Sequence, residues 1–493
     1  MSRGYFSAKI VDGALWLNLL GVLVGVSSFL QLTISAKILG PKEISLISIF
    51  FLVQGILETV SETGLKKAAI QKENIVKEHL DTVFTVSLIK GVVLFLLVNI
   101  FQKDILLFFN FVEAGVYFGA LSIVFLLQGL RNPFVIFFQR ELNFKRHVIW
   151  QGVASIIKFL TVISLVFIFE NVWSIVVGVL AYELSLLILS YTLNNVRPSF
   201  KFSRTKFLEL FSYGRWVFLS TLVMLIDRQG AQFITTKLLR PEYLAFLYVS
   251  LQMSKAPQII ISQLKNTLFP VFSKLNNSNK KQEIERYFKV SSQAVLLLIA
   301  PLLAFVYVLE SEIIKFFLGS DWLEINNLLF LILLSTSIES WNSISIATFN
   351  AIGRPNIVFY INTIRSLLLL FLSVFFISQY GLVGAGYAFV AKSIIASIFT
   401  RYFLLHKAKL RIDYICSLKY LLFNLVFTNA IFMAFYTLSE EIRNSGLLLN
   451  SFLYMSCFVC SWILLDKAPI SWQGTLTYTD LMGIILRNIS KKH

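Results

Sequence analysis

The sequence predicts an all-α, polytopic membrane protein of about 14 transmembrane helices, arranged as two parallel six-helix lobes with two further helices at the C-terminal end. Three observations carry this fold class. Hydrophobic residues make up 57% of the 493 positions and charged residues only 14%, too few to cover the surface of a soluble protein of this size. Apolar stretches of roughly 20 residues, the length that crosses a bilayer, recur along the chain. A short pattern also repeats. ILGPKEISLISIF at 38–50 and LLRPEYLAFLYVS at 238–250 both set a Leu-x-Pro turn before an acid and an apolar helix, with Pro41 and Pro241 200 residues apart. Six spans separate the two copies, so both have the same orientation.

In chain order the spans are expected at 14–36, 43–65, 81–101, 114–138, 147–168, 171–192, 213–236, 242–264, 290–309, 326–348, 356–379, 382–405, 417–438 and 446–465. The first is too long for a removable signal peptide and lacks a small-residue cleavage site. Glu170-Asn171 joins the fifth to the sixth, and Gln379-Tyr380-Gly381 joins the eleventh to the twelfth. In the seventh, MLIDRQG at 224–230 interrupts the apolar run. Breaking the span at Asp227 leaves two pieces too short to cross, so these charges are expected inside a helix. The chain divides into an N-terminal lobe at 1–192, a linker at 193–212, a C-terminal lobe at 213–405, and a segment at 406–493 with two helices and a basic tail. The linker and the connection at 265–289 read as amphipathic helices on the inner surface. Phe200, Phe202, Phe207, Leu208 and Phe211 would dip into the bilayer, with Lys201, Arg204 and Lys206 among head groups.

The net charge of +17 is a topology signal, not a nucleic-acid footprint. Lys66, Lys67, Lys72, Lys77, Arg140, Lys145, Arg146 and the basic residues at 197–206, 265–289 and 407–411 fall on one set of alternating loops. The opposite loops hold fewer basic residues and carry Glu310, Glu312, Asp321 and Glu324. This asymmetry places both termini in the cytoplasm and makes membrane lipids with anionic heads partners of the excess charge. Cys457-Phe-Val-Cys460 spells a CxxC without a second ligand pair, which reads as small buried residues. No metal-ligand cluster or Gly-rich phosphate loop is written in the sequence, so no metal or cofactor is expected.

A family resemblance enters through nine stretches: GALWLNLLG at 13–21, ILGPKEISL at 38–46, ETGLKKAAIQKE at 62–73, FFQRELNFKRH at 137–147, NVWSIVVG at 171–178, RPSFKF at 197–202, LFPVFSKL at 268–275, FFLGSDW at 316–322 and NAIGRPNIV at 350–358. The chain resembles the polysaccharide transporter family of bacterial lipid-linked oligosaccharide flippases, the Wzx-type O-antigen and colanic-acid exporters. Multidrug extruders and the lipid II flippase belong to the same superfamily. Ser45 and Ala245 stand where the family usually has glycine, and Glu62-Thr63-Gly64-Leu65 stands where Asp-Leu-Gly-Leu is common. The resemblance implies alternating access in the bacterial inner membrane. The substrate would be a polyprenyl-pyrophosphate-linked oligosaccharide, with a polysaccharide polymerase and a chain-length regulator as further partners.

Charge inside the spans gives the candidate site. Lys90, Arg131, Lys158, Arg228, Lys255, Arg365 and Lys392 are the cations away from span ends, and Glu58, Glu183, Asp227 and Glu339 the acids. An ionised group at mid-bilayer costs on the order of 3 kcal/mol, so these groups must pair or line a wet cavity. The cations outnumber the acids, which suits a substrate carrying a pyrophosphate. Glu183 is expected to pair with Lys158 or Lys90, and Glu58 with a lysine of a neighbouring span. Arg131 has two readings, cavity lining or satisfaction of carbonyls freed by Pro133. Asp227 and Arg228 are adjacent, so on a helix they point about 100° apart, with Arg228 toward substrate and Asp227 toward a partner. Trp341 is a candidate for sugar stacking, and Arg401 reads as a snorkelling edge residue.

Three rival functions are set aside. A cation-coupled drug extruder would need acids in the cavity. A membrane enzyme of polysaccharide assembly would need a large external loop or a cytosolic nucleotide-sugar domain, and neither is written here. A scaffold would not need this much charge inside its spans.

Overall fold

A computed structural model describes residues 3–72, 74–141, 143–278, 280–408 and 410, with 430, 450, 451, 453, 454 and 456. All of the expected thirteenth span but residue 430, most of the fourteenth, the three cysteines and the basic tail lie outside the described residues. Among the described residues every regular element is helical. The order is α1 (Arg3–Val60), α2 (Leu65–Gln71), α3 (Lys77–Ile100), α4 (Gln102–Phe109), α5 (Gly115–Leu130), α6 (Ile136–Arg140) and α7 (Phe144–Phe169), followed by α8 (Trp173–Thr192), α9 (Arg204–Leu238), α10 (Glu242–Met253), α11 (Ala256–Asn277), α12 (Lys281–Phe317), α13 (Leu328–Ala351) and α14 (Pro355–His406).

Eight helices among the described residues are long and apolar enough to cross a membrane. Two of them are long enough to cross twice. Leu19–Val60 has 42 residues and Pro355–His406 has 52. Each is broken where glycine alone is comfortable: Gly40 has φ 76° just before Pro41, and Gly381 has φ 59°, in the region that a Cβ disfavours. The repeat extends through the element order. α3 gives way to α4 at Phe101, and α12 bends at Leu309, 208 positions later. α7 gives way to α8 at Glu170, in the left-handed region at φ 46°, and α14 breaks at Gly381, 211 positions later.

The chain forms two compact units. The first comprises Met1–Gln252 with Leu369–Leu382, and the second Met253–Leu368 with residues from Val383 onward. In the first, α7 packs on α8 and α1, α5 on α3 and α8, and α9 on α1, α2 and α3. The α3–α5 crossing is close because glycine faces backbone. A Cβ on Gly91 would fall 2.5 Å from the Phe125 carbonyl oxygen, and one on Gly129 would fall 2.9 Å from that of Ser87. In the second unit, α13 packs on α11 and α12 around Phe272, Phe288, Phe349 and Leu404.

Two expected surface helices are not separate elements. Residues 193–203 form no helix, and 204–212 are the first turns of α9, which runs unbroken to Leu238. The reason lies in α3, whose first turns offer the linker backbone its partners. Asp81 Oδ1 accepts from Ser199 N at 2.8 Å, Thr85 Oγ1 donates to Lys201 O at 2.9 Å, and Thr82 Oγ1 accepts from Ser203 N at 3.2 Å. Ser203 then caps α9. Likewise α11 runs to Asn277, and α12 begins at Lys281 and continues to Phe317.

Glu209 completes the attachment of the linker. It accepts from Lys72 at 2.8 Å, His79 Nε2 at 3.0 Å and Lys206 at 3.1 Å. His79 Nδ1 accepts from Val76 N at 3.2 Å, which leaves Nε2–H as the donor to Glu209. The hydrogen bonds from Lys72, His79 and Lys206 hold the Glu209 carboxyl down to about 2.

Candidate functional site

Charge inside the helices gathers into two clusters, one in each unit. In the first, Glu58 on α1, Gln128 and Arg131 at the end of α5, and Glu183 on α8 come together. Gln54 and Gln128 donate to Glu58 Oε1 at 2.8 and 2.9 Å, and the Gln128 amide also reaches Glu183 Oε1 at 3.4 Å. Arg131 forms a salt bridge with Glu183, which is 6% exposed. Local sequence sets this up. α5 stops at Leu130, and both Arg131 and Asn132 are extended before Pro133, as the pre-proline clash demands.

Three expected pairings are corrected. Glu183 meets Arg131 rather than Lys158 or Lys90, because the end of α5 lies against α8. Lys158 sits instead over the Tyr182 ring, 5.8 Å from its centroid. Arg131 meets Glu183 and not a carbonyl freed by Pro133: the Leu130 carbonyl oxygen accepts from Tyr191 Oη at 2.9 Å, while Asn132 N donates to Ser190 Oγ, its Nδ2 donates to Val196 O, and its Oδ1 accepts from Phe134 N. Glu58 takes two neutral amides instead of a lysine, one of them from Gln54, four residues away on the same helix face.

Lys66, at the start of α2, belongs to this cluster although its sequence context read only as a topology signal. Its side chain as a whole is solvent-accessible, while its ammonium is largely desolvated. Burial first, then the charges of Lys90 and Arg131, bring its ammonium down to about 8 against the pull of Glu62 and Glu58.

The second cluster centres on Glu339 in α13. Lys392 Nζ lies 2.5 Å from Glu339 Oε1, and Arg365 Nη1 lies 3.8 Å from Oε2. Lys392 is 2% exposed, and its Nζ also sits 4.9 Å from the Phe389 ring centroid. Small polar side chains hold α13 against α14. Ser335 Oγ donates to Phe389 O at 3.0 Å and lies 2.7 Å from Ser393 Oγ, while Ser393 Oγ donates to Glu339 Oε1 at 3.4 Å. Trp341 is fixed by its indole N–H, which donates to Ser292 Oγ.

Asp227 and Arg228 do lie inside one continuous helix, α9. Arg228 is exposed and Asp227 half-buried. α9 is anchored on both sides of them. Gln229 lies where a Cβ on Gly55 of α1 would fall. Lys237 donates to the Phe108 carbonyl oxygen at the end of α4, with its Nζ 3.1 Å from the Phe108 ring centroid. Lys90 is half-buried on α3, and Lys255 is exposed, capping α11.

With this geometry established, three likenesses bear on the chain. It is 21% identical over 339 residues to the succinoglycan biosynthesis transport protein ExoT of Rhizobium meliloti (strain 1021), covering 69% of this chain and 68% of that protein. It is 20% identical to the lipopolysaccharide biosynthesis protein WzxC of Escherichia coli (strain K12), covering 82% of each. The lipid II flippase MurJ, in an inward closed conformation, superposes with a TM-score of 0.66 at 16% identity, over 94% of this chain and 100% of that one. This last likeness shows that the chain shares the fold of that structure. The family model described as "Polysaccharide biosynthesis protein" matches residues 34–327, more than half of the sequence, and the chain, a multi-pass membrane protein, belongs to that family.

Proposed function

We propose that this protein is a flippase. It moves an undecaprenyl-pyrophosphate-linked oligosaccharide from the inner to the outer leaflet of the bacterial cytoplasmic membrane by alternating access, with both termini in the cytoplasm. It acts as a transporter and not as an enzyme. The observation that supports this most directly is the cationic surplus inside the spans of the first unit: beyond the pair of Arg131 with Glu183, Lys90, Lys158 and Arg228 stand against Glu58 and Asp227. A polyanionic pyrophosphate is attracted to such a surplus, whereas a cationic drug is repelled by it. Arg228, exposed within a helix, brings a guanidinium that binds phosphate oxygens in pairs.

The test is complementation of a flippase-deficient strain. Arg228→Ala abolishes export of the lipid-linked glycan at normal protein level. Arg228→Lys keeps part of it, because charge remains while the planar fork is lost. Full export by a normally expressed Arg228→Ala protein removes Arg228 from the substrate path.

A further inference from the structure

The expected eighth span is not one helix. α10 ends at Met253, Ser254 and Lys255 form a turn, and α11 begins at Ala256 with Pro257 in its first turn. The turn packs on α13, where Thr336 Oγ1 donates to Ser254 O at 2.9 Å and to Leu333 O at 3.0 Å. Ser340 stands four residues beyond Thr336, on the same helix face, and Ser337 stands three residues before Ser340. Ser254, Ser337 and Ser340 are 0%, 3% and 4% exposed, and none of their hydroxyls has a hydrogen-bond partner. A hydroxyl inside a helix ordinarily returns its proton to the carbonyl three or four residues back, as Ser48 and Thr348 do here. Three buried hydroxyls beside one helix break, all without that bond, are costly unless a ligand completes them.

What is unsatisfied decides the class of ligand. A metal cation fills the lone pairs of a hydroxyl oxygen and leaves its proton without an acceptor, whereas an anion takes the proton. The first amides of a helix are donors without an intrahelical acceptor, and no side chain caps α11. With 22 residues, α11 also brings a partial positive charge to this end. Charge inside the spans of the second unit has the same sign, since Lys255, Arg365 and Lys392 stand against Glu339. An anion is attracted to that surplus and a sodium ion is repelled by it. We propose that the α10–α11 turn holds a small inorganic anion of halide size, chloride under ordinary conditions. The hydroxyls of Ser254, Ser337 and Ser340 and the first amides of α11 donate to it. The burial of all three serines sets the size limit, so the ion is a fixed counter-charge of the second unit and separate from the transported lipid.

The test is thermal unfolding of the full-length protein in detergent, with sodium chloride exchanged against sodium gluconate at constant pH and ionic strength. An ion held only by the folded chain stabilises it by mass action. Each tenfold rise in chloride beyond its Kd therefore raises the melting temperature by about 3–6 °C. Bromide acts in the same way, and choline chloride in place of sodium chloride changes nothing. Ser254→Ala and Ser340→Ala lose most of the chloride response while melting close to wild type in gluconate. Thr363→Val removes an α14 hydroxyl that donates to Phe359 O and keeps the response in full. A melting temperature indifferent to the anion, as water at the turn would give, overturns the proposal, and so does one that follows the cation. A full chloride response in both serine variants also overturns it, because the ion then sits elsewhere. Should the serine variants fail to fold, bromide in crystals of the wild-type protein decides. An anomalous peak beside Ser254 and Ser340 supports the site, and bromide bound only at other places refutes it.

Discussion

Replacing Glu339 with glutamine keeps the shape of the α13 side chain and removes its charge. Lys392, with 2% of its side chain exposed, then loses the carboxylate 2.5 Å away, and Arg365 loses the one 3.8 Å away. Breaking a buried ion pair from one side costs roughly 3–5 kcal/mol, because the remaining charge stays desolvated. Glu339 is itself 17% exposed, so the lower end, about 3 kcal/mol, is the expected loss. For a unit of this size that corresponds to a fall in melting temperature on the order of 6–12 °C. The assay is thermal unfolding of the purified protein in detergent, with the amount of protein in the membrane as a second readout. Lys392→Met in the Glu339→Gln background removes the stranded ammonium and recovers most of the loss, so the two substitutions are strongly non-additive. A Glu339→Gln protein that melts within 1–2 °C of wild type, or a double variant whose loss equals the sum of the single ones, refutes the reasoning that the pair is buried and coupled.

Three further outcomes follow from the geometry. Gly91→Leu drives a side chain into the Phe125 carbonyl oxygen, 2.5 Å from where its Cβ must sit. The α3–α5 contact is lost at a cost of about 1–3 kcal/mol, read as reduced membrane level, and normal level would show that the two helices can part freely. Lys66→Met changes the pH dependence of stability. The folded ammonium titrates at about 8, below its ordinary 10.5, so charging it opposes folding at neutral pH, and wild-type stability rises between pH 8 and 10.5. The methionine variant melts higher at pH 7 and loses that slope; an unchanged slope would assign it to another group. Glu209, at about 2 against an ordinary 4.5, stabilises the linker above pH 4.5 and ceases to as pH falls toward 2. Amide exchange at 199–210, corrected for its intrinsic rate, therefore rises in acid, and Glu209→Gln shows the same rise already at pH 7. Protection at pH 7 unaffected by this substitution would mean that the hydrogen bonds to α3 hold the linker unaided.

The long-period features of this fold are written in the sequence because a bilayer demands them. An apolar run of the right length must be a helix, so α3, α7, α8 and α13 fall where hydropathy put them, and breaks occur at Glu170 and Gly381 as the turns suggested; α5 ends at Leu130, short of the expected 138, because Pro133 turns the chain. The Pro41 and Pro241 repeat was legible for the same reason, although the two copies turn differently. Gly40 takes a positive φ, while Arg240 follows an extended Leu239. Charge inside the spans was legible as a set of residues and not as a set of pairs. Which acid meets which base depends on helix neighbours and rotation, quantities that hydropathy does not encode. Arg131 and Glu183 lie 52 positions apart, and Gln128 joins two acids from two other helices. Gln54 and Gln128, lone uncharged residues in apolar runs, carried no signal on their own. Spacing gave one: Gln54 is four residues before Glu58, the distance at which a helix brings an amide to a carboxylate. The continuity of α9 through residues 204–212 was hidden because an amphipathic start and a membrane span share the same helical period.

The two buried ion pairs bear on which cations serve the substrate. Arg131 and Glu183 in the first unit are matched by Glu339 and Lys392 in the second, 208 and 209 positions later, the same spacing that relates the breaks at Phe101 and Leu309. The polarity is reversed. The helix that supplies the cation in one unit supplies the acid in the other. Attraction depends on the product of the charges and is indifferent to the exchange, so a pair whose task is to hold two helices together can exist in either sense. Binding an anion depends on sign and has no such freedom. From this reversal at matched positions we propose that both pairs are structural, Arg131 and Lys392 included. Arg228 and Lys90 differ in kind. The repeat places Ser28 opposite the first, 200 positions earlier, and Leu298 opposite the second, 208 positions later, so neither takes part in a mirrored pair. We propose that these two, rather than Arg131 and Lys392, are the cations a pyrophosphate would meet.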